Sequence, residues 1–408
     1  MCCYPSDFEA KFRTLLADQA DAFFQSLAQP SVQGLRVNLC KTSANAFLAD
    51  SGLSLTSVPW CAEGFYVENP AQRPGKHPYH EAGVYYLQDP SAMAPVTLLA
   101  PRVGDRVLDL CAAPGGKSTQ IAALIGVDGF LLANEIHPQR SRQLSQNIER
   151  MGFANTIVSN ESPAHLAARL PGFFDKILVD APCSGEGMFR KKQEARQHWS
   201  AKNVLFCHDR QLEILAQAAI MLRRGGRLVY STCTFNDIEN EGVLKRFLAL
   251  HPEFTLQPFA LPGLPEAKDG YLHLYPHEMR GEGHFVSRLN KSADTSETES
   301  PVQAAPKKKT SARPAASAKG KAPIALPDVF SDAFTPNRLY AAGDALWMLP
   351  EQISIERLHG LRVLRTGLLL AHAEGRRSEP DHALAMALRP KEAAGTANLT
   401  TAQALAYQ

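Results

Sequence analysis

The chain lacks the features that would place it in or across a membrane. Its 408 residues contain no apolar run near the roughly 18 residues a membrane helix needs. The start, Met1-Cys2-Cys3-Tyr4-Pro5, has neither the basic nor the apolar region of a secretory signal, so a cytoplasmic location is expected. Cysteine is sparse, with eight residues at 2, 3, 40, 61, 111, 183, 207 and 233 and no CxxC pair. That scatter excludes a disulfide framework and gives no zinc spacing. Reduced thiols and no metal site follow, with Cys207 and Cys40 expected as small buried apolar fillers. A large excess of one charge is also lacking: the formal net charge is +2, so a nucleic-acid surface must be a local one. No internal repeat is visible.

What is present is ample apolar material, 45% of the residues, enough for two or three folded domains at this length. Residues 1–95 combine an amphipathic helix around Phe8 to Leu27 with extended segments such as Leu35-Arg36-Val37-Asn38-Leu39. Between 96 and 290, short β-rich runs alternate with helix-period segments, the mark of a parallel sheet covered on both faces. The strands are predicted at Arg106–Leu110, Phe130–Asn134, Thr156–Ser159, Lys176–Asp180 and Arg227–Ser231. Leu205, Leu212, Leu215 and Leu222 form a candidate core stripe on one helix. Over 291–325, large apolar residues nearly vanish, which predicts a flexible linker whose Lys307, Lys308, Lys309, Arg313, Lys319 and Lys321 are either solvated or in contact with phosphates. A small mixed domain follows at 326–408. The fold class is therefore α/β, a Rossmann-like core flanked by an N-terminal α+β part and a small C-terminal domain.

Directly after the first core strand comes Asp109-Leu110-Cys111-Ala112-Ala113-Pro114-Gly115-Gly116-Lys117-Ser118-Thr119, a glycine turn leading into a helix. Doubly wound sheets bind ligands at such strand-to-helix turns. Gly115 and Gly116 are expected to clear space where a ligand nears the backbone, and the helix start offers free N–H groups. A nucleoside triphosphate is one reading, because the loop nearly matches GxxxxGK[ST] and Asp180 ends an apolar strand. Cys111 stands where that motif needs glycine, and Pro114 removes a backbone donor. S-adenosylmethionine is the favoured ligand, since Glu135 stands at the end of the second strand where an acid would accept ribose hydroxyls.

Two cysteines follow adjacent core strands, in Asp180-Ala181-Pro182-Cys183-Ser184-Gly185 and in Ser231-Thr232-Cys233-Thr234. Both thiols should open on the crevice that holds the glycine loop. Cytosine carbon 5 is too electron-poor to attack a methyl sulfonium unaided, and a thiolate added at carbon 6 makes it nucleophilic. Breaking that adduct calls for a second thiol or a base. Asp180 would face the Watson–Crick edge of the base, as a carboxylic acid or paired with a protonated N3.

These motifs, with Leu35-Arg36-Val37-Asn38 and Gln88-Asp89-Pro90-Ser91-Ala92, resemble the Nop/Sun (Fmu) family of RNA cytosine-5 methyltransferases, and within it the RsmF-like branch with a C-terminal PUA-like domain. The resemblance implies Cys233 as nucleophile, Cys183 as the releasing thiol, and S-adenosylmethionine held by Cys111 to Lys117, Glu135, an acid after the third strand, here Glu161, and Asp180. It implies an RNA substrate, small-subunit ribosomal RNA above transfer RNA, with RNA-binding parts at 1–95 and 326–408. No membrane and no obligate protein partner are expected. Arg190-Lys191-Lys192 is the expected phosphate clamp, and Arg357, Arg362, Arg365, Arg376 and Arg377 suit phosphates in the tail. A contrasting possibility is an RNA-binding assembly factor whose catalytic site has decayed.

Overall fold

The computed structural model describes residues 4–191, 193–293, 338–374 and 377–389, with 392, 396–397, 400 and 403. The basic linker tract, Lys192 and Arg376 lie outside the described residues. Four strands, β1 (Gly34–Val37), β2 (Leu55–Val58), β3 (Cys61–Val67) and β4 (Tyr85–Leu87), form an antiparallel N-terminal sheet in the order β2-β3-β1-β4. The central sheet carries β5 (Arg106–Asp109), β6 (Phe130–Asn134), β7 (Thr156–Ser159), β8 (Phe174–Asp180), β9 (Leu222–Thr232), β10 (Phe254–Leu256), β11 (Tyr271–Leu274) and β12 (His284–Lys291). A C-terminal antiparallel sheet holds β13 (Leu339–Ala342), β14 (Ala345–Met348), β16 (Leu368–Glu374) and β17 (Arg377–Pro380), while β15 (Val363–Thr366) leaves it for the central sheet.

The central order is β10-β12-β9-β8-β5-β6-β7-β15, with β11 paired to β12. β9, β8, β5, β6 and β7 run parallel. Apolar runs such as Phe130-Leu131-Leu132-Ala133 have no exposed face, because helices cover both sides. From β5 the chain builds outward through β6 to β7, then crosses to β8 and β9, which leaves the crevice of a doubly wound sheet at the carboxyl ends beside β5.

The sequence-derived strands agree with the observed ones, β8 and β9 being longer at their starts. The expected leucine stripe does not hold as drawn, because Leu205 is 55% exposed. Helix Ala201–Met221 instead buries Val204, Cys207, Gln211, Ile214, Leu215 and Ala218. Cys207 is buried as expected, whereas Cys40 is exposed. The N-terminal helix is two helices, Ser6–Leu16 and Ala20–Leu27, joined by a turn. Their Phe8, Phe12 and Phe23 pack on Phe189, Trp199 and Phe235.

Two docking contacts place the flanking parts. Arg36 of β1 is wholly buried and donates to Gln88 Oε1 (3.0 Å), Thr119 Oγ1 (2.7 Å) and the Gly116 carbonyl (3.1 Å). It thereby clamps the N-terminal sheet to the helix after the glycine loop. At the other edge β15 pairs antiparallel with β7, and Arg365 is buried against Glu149 at 2.9 Å. The tail is therefore not a wholly separate domain, since one of its strands extends the central sheet. Gly152 ends helix Pro138–Met151 with a φ of 78°, and a Cβ there would run into the Met386 carbonyl oxygen.

Gly152→Ala is therefore expected to cost about 2 kcal/mol or more, from a left-handed backbone plus the clash. Denaturant unfolding with proteolysis of the C-terminal part measures it, and an unchanged midpoint contradicts the close packing.

Candidate active site

The glycine loop leaves β5 and enters helix Gly116–Ile125. Ser118 Oγ donates to Asp109 Oδ2 at 2.6 Å and ties the helix start back to the strand end. Burial pushes the Asp109 carboxyl up to about 7, with the Ser118 bond opposing. Ala112 N–H donates to the Asn134 carbonyl (2.8 Å), and the Pro114 carbonyl accepts from Asn147 (2.8 Å), so the loop is held from both sides.

The two glycines admit close packing. A Cβ on Gly115, whose φ is 114°, would stand 3.1 Å from Leu144 Cδ1. One on Gly116 would stand 3.2 Å from Tyr86 Cε1. The helix after β6 and the N-terminal sheet thus press against the two glycines.

Beside the loop opens a cavity of about 710 Å³, within the size range of small-molecule sites. Leu110, Cys111 and Ala113 line it from the loop, Asn134, Glu135 and Arg140 from β6 and its following helix, Ser162 to Ala164 from beyond β7, and Asp180 to Cys183 and Cys233 from β8 and β9. Ala112, Pro114, Gly115, Gly116 and Lys117 are not among its lining residues. Burial among Asp109, Glu135 and Asp180 keeps the Cys111 thiol well above its ordinary value and therefore protonated.

Glu135 is 3% exposed yet reaches the cavity. Its Oε1 accepts the His137 N–H (2.9 Å), and its Oε2 lies 3.2 Å from Arg140, which also bonds the Ala113 carbonyl. It both caps a helix start and presents a carboxylate where hydroxyls can be accepted. Glu161 differs from expectation. Its carboxylate turns to the Arg362 N–H (2.7 Å) and His165 (2.9 Å), away from the cavity that Ser162 and its successors line.

Lys117 and Asp180 decide between the ligands. Lys117 Nζ donates to Asp180 Oδ2 at 2.7 Å, so the cation and the acid that would hold phosphates and magnesium neutralise each other. Ser231 Oγ donates to Asp180 Oδ1 (2.8 Å), with His284 Nε2 at 3.4 Å. Burial alone would raise the Asp180 carboxyl; Lys117 and His284 overcome it and hold the group well below the usual range. It is a carboxylate here, not the carboxylic acid that was one of its two expected forms.

Beyond Asp180 the two loops are cross-braced. In parallel register Asp180 lies opposite Ser231, and the next residues carry the thiols, with Cys183 Sγ 3.3 Å from Cys233 Sγ. Gly187 N–H donates to the Cys233 carbonyl (2.8 Å), and Ser184 Oγ meets Thr234 Oγ1 (2.9 Å). The hydrogen bond to Cys233, then burial, pushes the Cys183 thiol well up. Cys183 therefore carries its proton in the resting site, and either sulfur can donate across the contact.

Two acids absent from the sequence reading hold this pair of loops. Glu186, wholly buried, accepts from Trp199 Nε1 (3.0 Å), Phe235 N–H (2.9 Å) and Asn236 Nδ2 (3.2 Å). Glu239 Oε2 accepts from Ser184 N–H (3.0 Å) and Gln211 Nε2 (2.9 Å), and burial raises it to about 7. An acid three residues after Cys183 was visible in the sequence, but its partners come from distant segments.

The phosphate-clamp expectation fails for Arg190, whose side chain is 5% exposed and lies 3.4 Å from Glu282. Lys191 stays accessible, 3.7 Å from Asp89. In the tail, Arg365 is likewise spent on Glu149, whereas Arg362 is open to solvent.

Comparison with known proteins agrees with this geometry. Residues 96–290 match the family of 16S rRNA methyltransferase RsmB/F, residues 4–90 the N-terminal domain of 16S rRNA methyltransferase RsmF, and residues 327–388 the first C-terminal domain of RsmF. Ribosomal RNA small subunit methyltransferase F of Enterobacter sp. (strain 638) is 37% identical over 406 residues, 94% of this chain and 83% of that protein. The chain belongs to the RsmF family of 16S rRNA methyltransferases. A methyltransferase homologue from Pyrococcus horikoshii is 31% identical over 71% of this chain and 96% of its own, with a TM-score of 0.62. NSun6 from the same organism, solved with SFG, has the same fold at 23% identity and a TM-score of 0.62, covering 71% of this chain and 99% of its own. The RsmF-family cofactor is S-adenosylmethionine, and the buried Glu135 carboxylate on a cavity without a free phosphate-binding lysine fits it. Among the described residues no helix is long and apolar enough to cross a membrane.

A pH test follows from the raised acid. Glu239, lifted from an ordinary 4.5 to about 7, binds more proton folded than unfolded between those values. Stability therefore falls as pH rises through that window. Glu239→Gln should flatten the slope in denaturant titrations from about pH 4.5 to 7, with Asp109, Glu186 and Glu282, also raised by burial, supplying the remainder; an unaltered slope contradicts the burial argument.

Proposed function

We propose that this chain, an S-adenosylmethionine-dependent rRNA methyltransferase, methylates carbon 5 of a cytosine in small-subunit ribosomal RNA, with Cys233 as nucleophile and Cys183 serving release. The observation that carries the reading is the pair of thiols 3.3 Å apart on the cofactor cavity. Two sulfurs in contact suit one to attack and the other to handle a proton.

Asp180, ionised and fixed by Lys117 and Ser231, offers a carboxylate to a protonated N3 of the base. That pairing draws electrons from the ring and makes carbon 6 accept the Cys233 thiolate. As sulfur bonds carbon 6, the displaced pair makes carbon 5 nucleophilic. Bound in the cavity, S-adenosylmethionine supplies an electrophilic methyl group. Release then needs the carbon 5 proton to leave, the electron pair of that bond re-forming the ring double bond as sulfur departs with its own pair. Cys183, in contact with that sulfur, is placed to take the proton as a thiolate, its own proton having first passed to solvent. Glu186 and Glu239 keep both loops still during these steps. Glu135, Asn134 and Ser162 to Ala164 are the residues proposed to hold the cofactor. A target cytosine in a loop avoids the few kcal/mol of unstacking that a paired one costs. A cytoplasmic location belongs to this same reading.

The intact thiol pair, paired Asp180 and open cavity weigh against a decayed site. Cys233→Ala is expected to abolish methylation, and Cys183→Ala to accumulate a covalent protein–RNA adduct on a denaturing gel. Absence of that adduct counts against the release role. Bisulfite mapping of ribosomal RNA from a deletion strain checks the target, and an unchanged methylation pattern overturns it.

A further inference from the structure

The C-terminal part reaches into the cofactor half of the site. β15 completes the edge of the central sheet beside β7, and just before it the Arg362 backbone bridges two consecutive residues of the catalytic part. The Arg362 carbonyl accepts from Asn160 N–H (2.9 Å), and its own N–H donates to Glu161 Oε1 (2.7 Å). The second oxygen of Glu161 is held by His165 at 2.9 Å. Glu161 is 4% exposed, so its charge depends on these donors. Burial opposes ionisation, yet the Arg362 N–H and His165 hold the carboxyl below its usual value.

From there the bonds run straight to the cavity wall. Glu161 N–H donates to Asn134 Oδ1 (3.0 Å), and Asn134 Nδ2 donates to the Glu161 carbonyl (3.0 Å) and the Leu110 carbonyl (3.3 Å). Asn160 Nδ2 donates to the carbonyls of Glu135 (2.7 Å) and Ile136 (2.8 Å). Asn134, Leu110, Glu135, Ile136 and Ser162 all line the cavity. β15 is also anchored through Arg365 on Glu149, in the helix whose Arg140 pairs with Glu135.

We propose that the segment Arg362–Thr366 of the C-terminal part is a positioning element of the S-adenosylmethionine site, acting through Glu161 rather than by contact with the cofactor. The C-terminal part is thereby coupled to cofactor affinity and is more than an RNA-binding appendage. Coupling is reciprocal: a strand that favours the cofactor-binding wall must itself be steadied when cofactor binds.

The test uses the full chain and S-adenosylmethionine alone. Calorimetric affinity is compared for the parent, Arg362→Ala, which keeps the N–H, and Arg362→Pro, which removes it. Arg362→Ala should stay within about twofold of the parent, and Arg362→Pro should weaken binding roughly tenfold, the scale of one lost hydrogen bond to a charged group. Gln352→Ala removes bonds to the Gly104 and Asp128 carbonyls at the opposite end of the sheet and should leave affinity unchanged. Equal losses in Gln352→Ala and Arg362→Pro, or no loss in Arg362→Pro, overturn the proposal. Should Arg362→Pro fail to fold, hydrogen exchange in the parent decides: cofactor slows exchange of the amides at 362–366 if the proposal holds, and unaltered exchange refutes it. The inference rests on the cofactor assignment, and a parent that binds no S-adenosylmethionine refutes that assignment instead.

Discussion

Everything at the reacting centre depends on the parallel register that sets Asp180 opposite Ser231. Two strands leaving the sheet at the same height carry their next residues to the same point, so Cys183 and Cys233 meet although 50 residues separate them. A slip of one residue would turn the side chains of one strand to the other face and part the sulfurs. Holding the register is costly to the chain beyond it, since loops leaving a sheet must bury backbone donors. Glu186 and Glu239 meet that demand by accepting N–H groups of Phe235 and Ser184. Burial raises both carboxyls against the pull of these bonds, which ties the order of the site to pH.

The same economy explains the electrostatics. Asp180, Glu135 and Glu161 are three acids around one cavity, and each has a different partner: Lys117, Arg140 and the Arg362–His165 pair. Unpaired, they would repel one another and rise toward neutrality in a low-dielectric cleft. Pairing keeps Asp180 and Glu161 ionised, and it uses the lysine that a phosphate ligand would otherwise claim. The Lys117–Asp180 bond thus does two things, keeping the acid ionised and occupying the lysine.

The flanking parts are structural partners of the site as well as candidate RNA surfaces. The N-terminal helices press Phe8, Phe12 and Phe23 on Phe189 and Phe235, close in sequence to the two cysteines, and Arg36 locks the first sheet on the glycine-loop helix. The C-terminal strand closes the opposite edge. Several basic residues that looked available to phosphate are consumed in this work, Arg190 by Glu282 and Arg365 by Glu149. Burial of an arginine requires a partner, and that partner cannot be read from a run of like charges.

By itself the sequence determined the alternation of β5 to β9 with helices, because a strand buried on both faces must be apolar throughout and its turns must be glycine- or proline-rich. It likewise placed Cys183, Cys233, Asp180 and Glu135 at strand ends, since strand ends follow from where apolar runs stop. Tertiary structure alone decided what those side chains do. Gly115 and Gly116 admit Leu144 and Tyr86, Lys117 turns to Asp180, and Glu161 turns to a residue 201 positions later. Hydrophobic periodicity is local and survives in one dimension, whereas a hydrogen bond or an ion pair is a choice among distant partners that exists only once the sheet has brought them together.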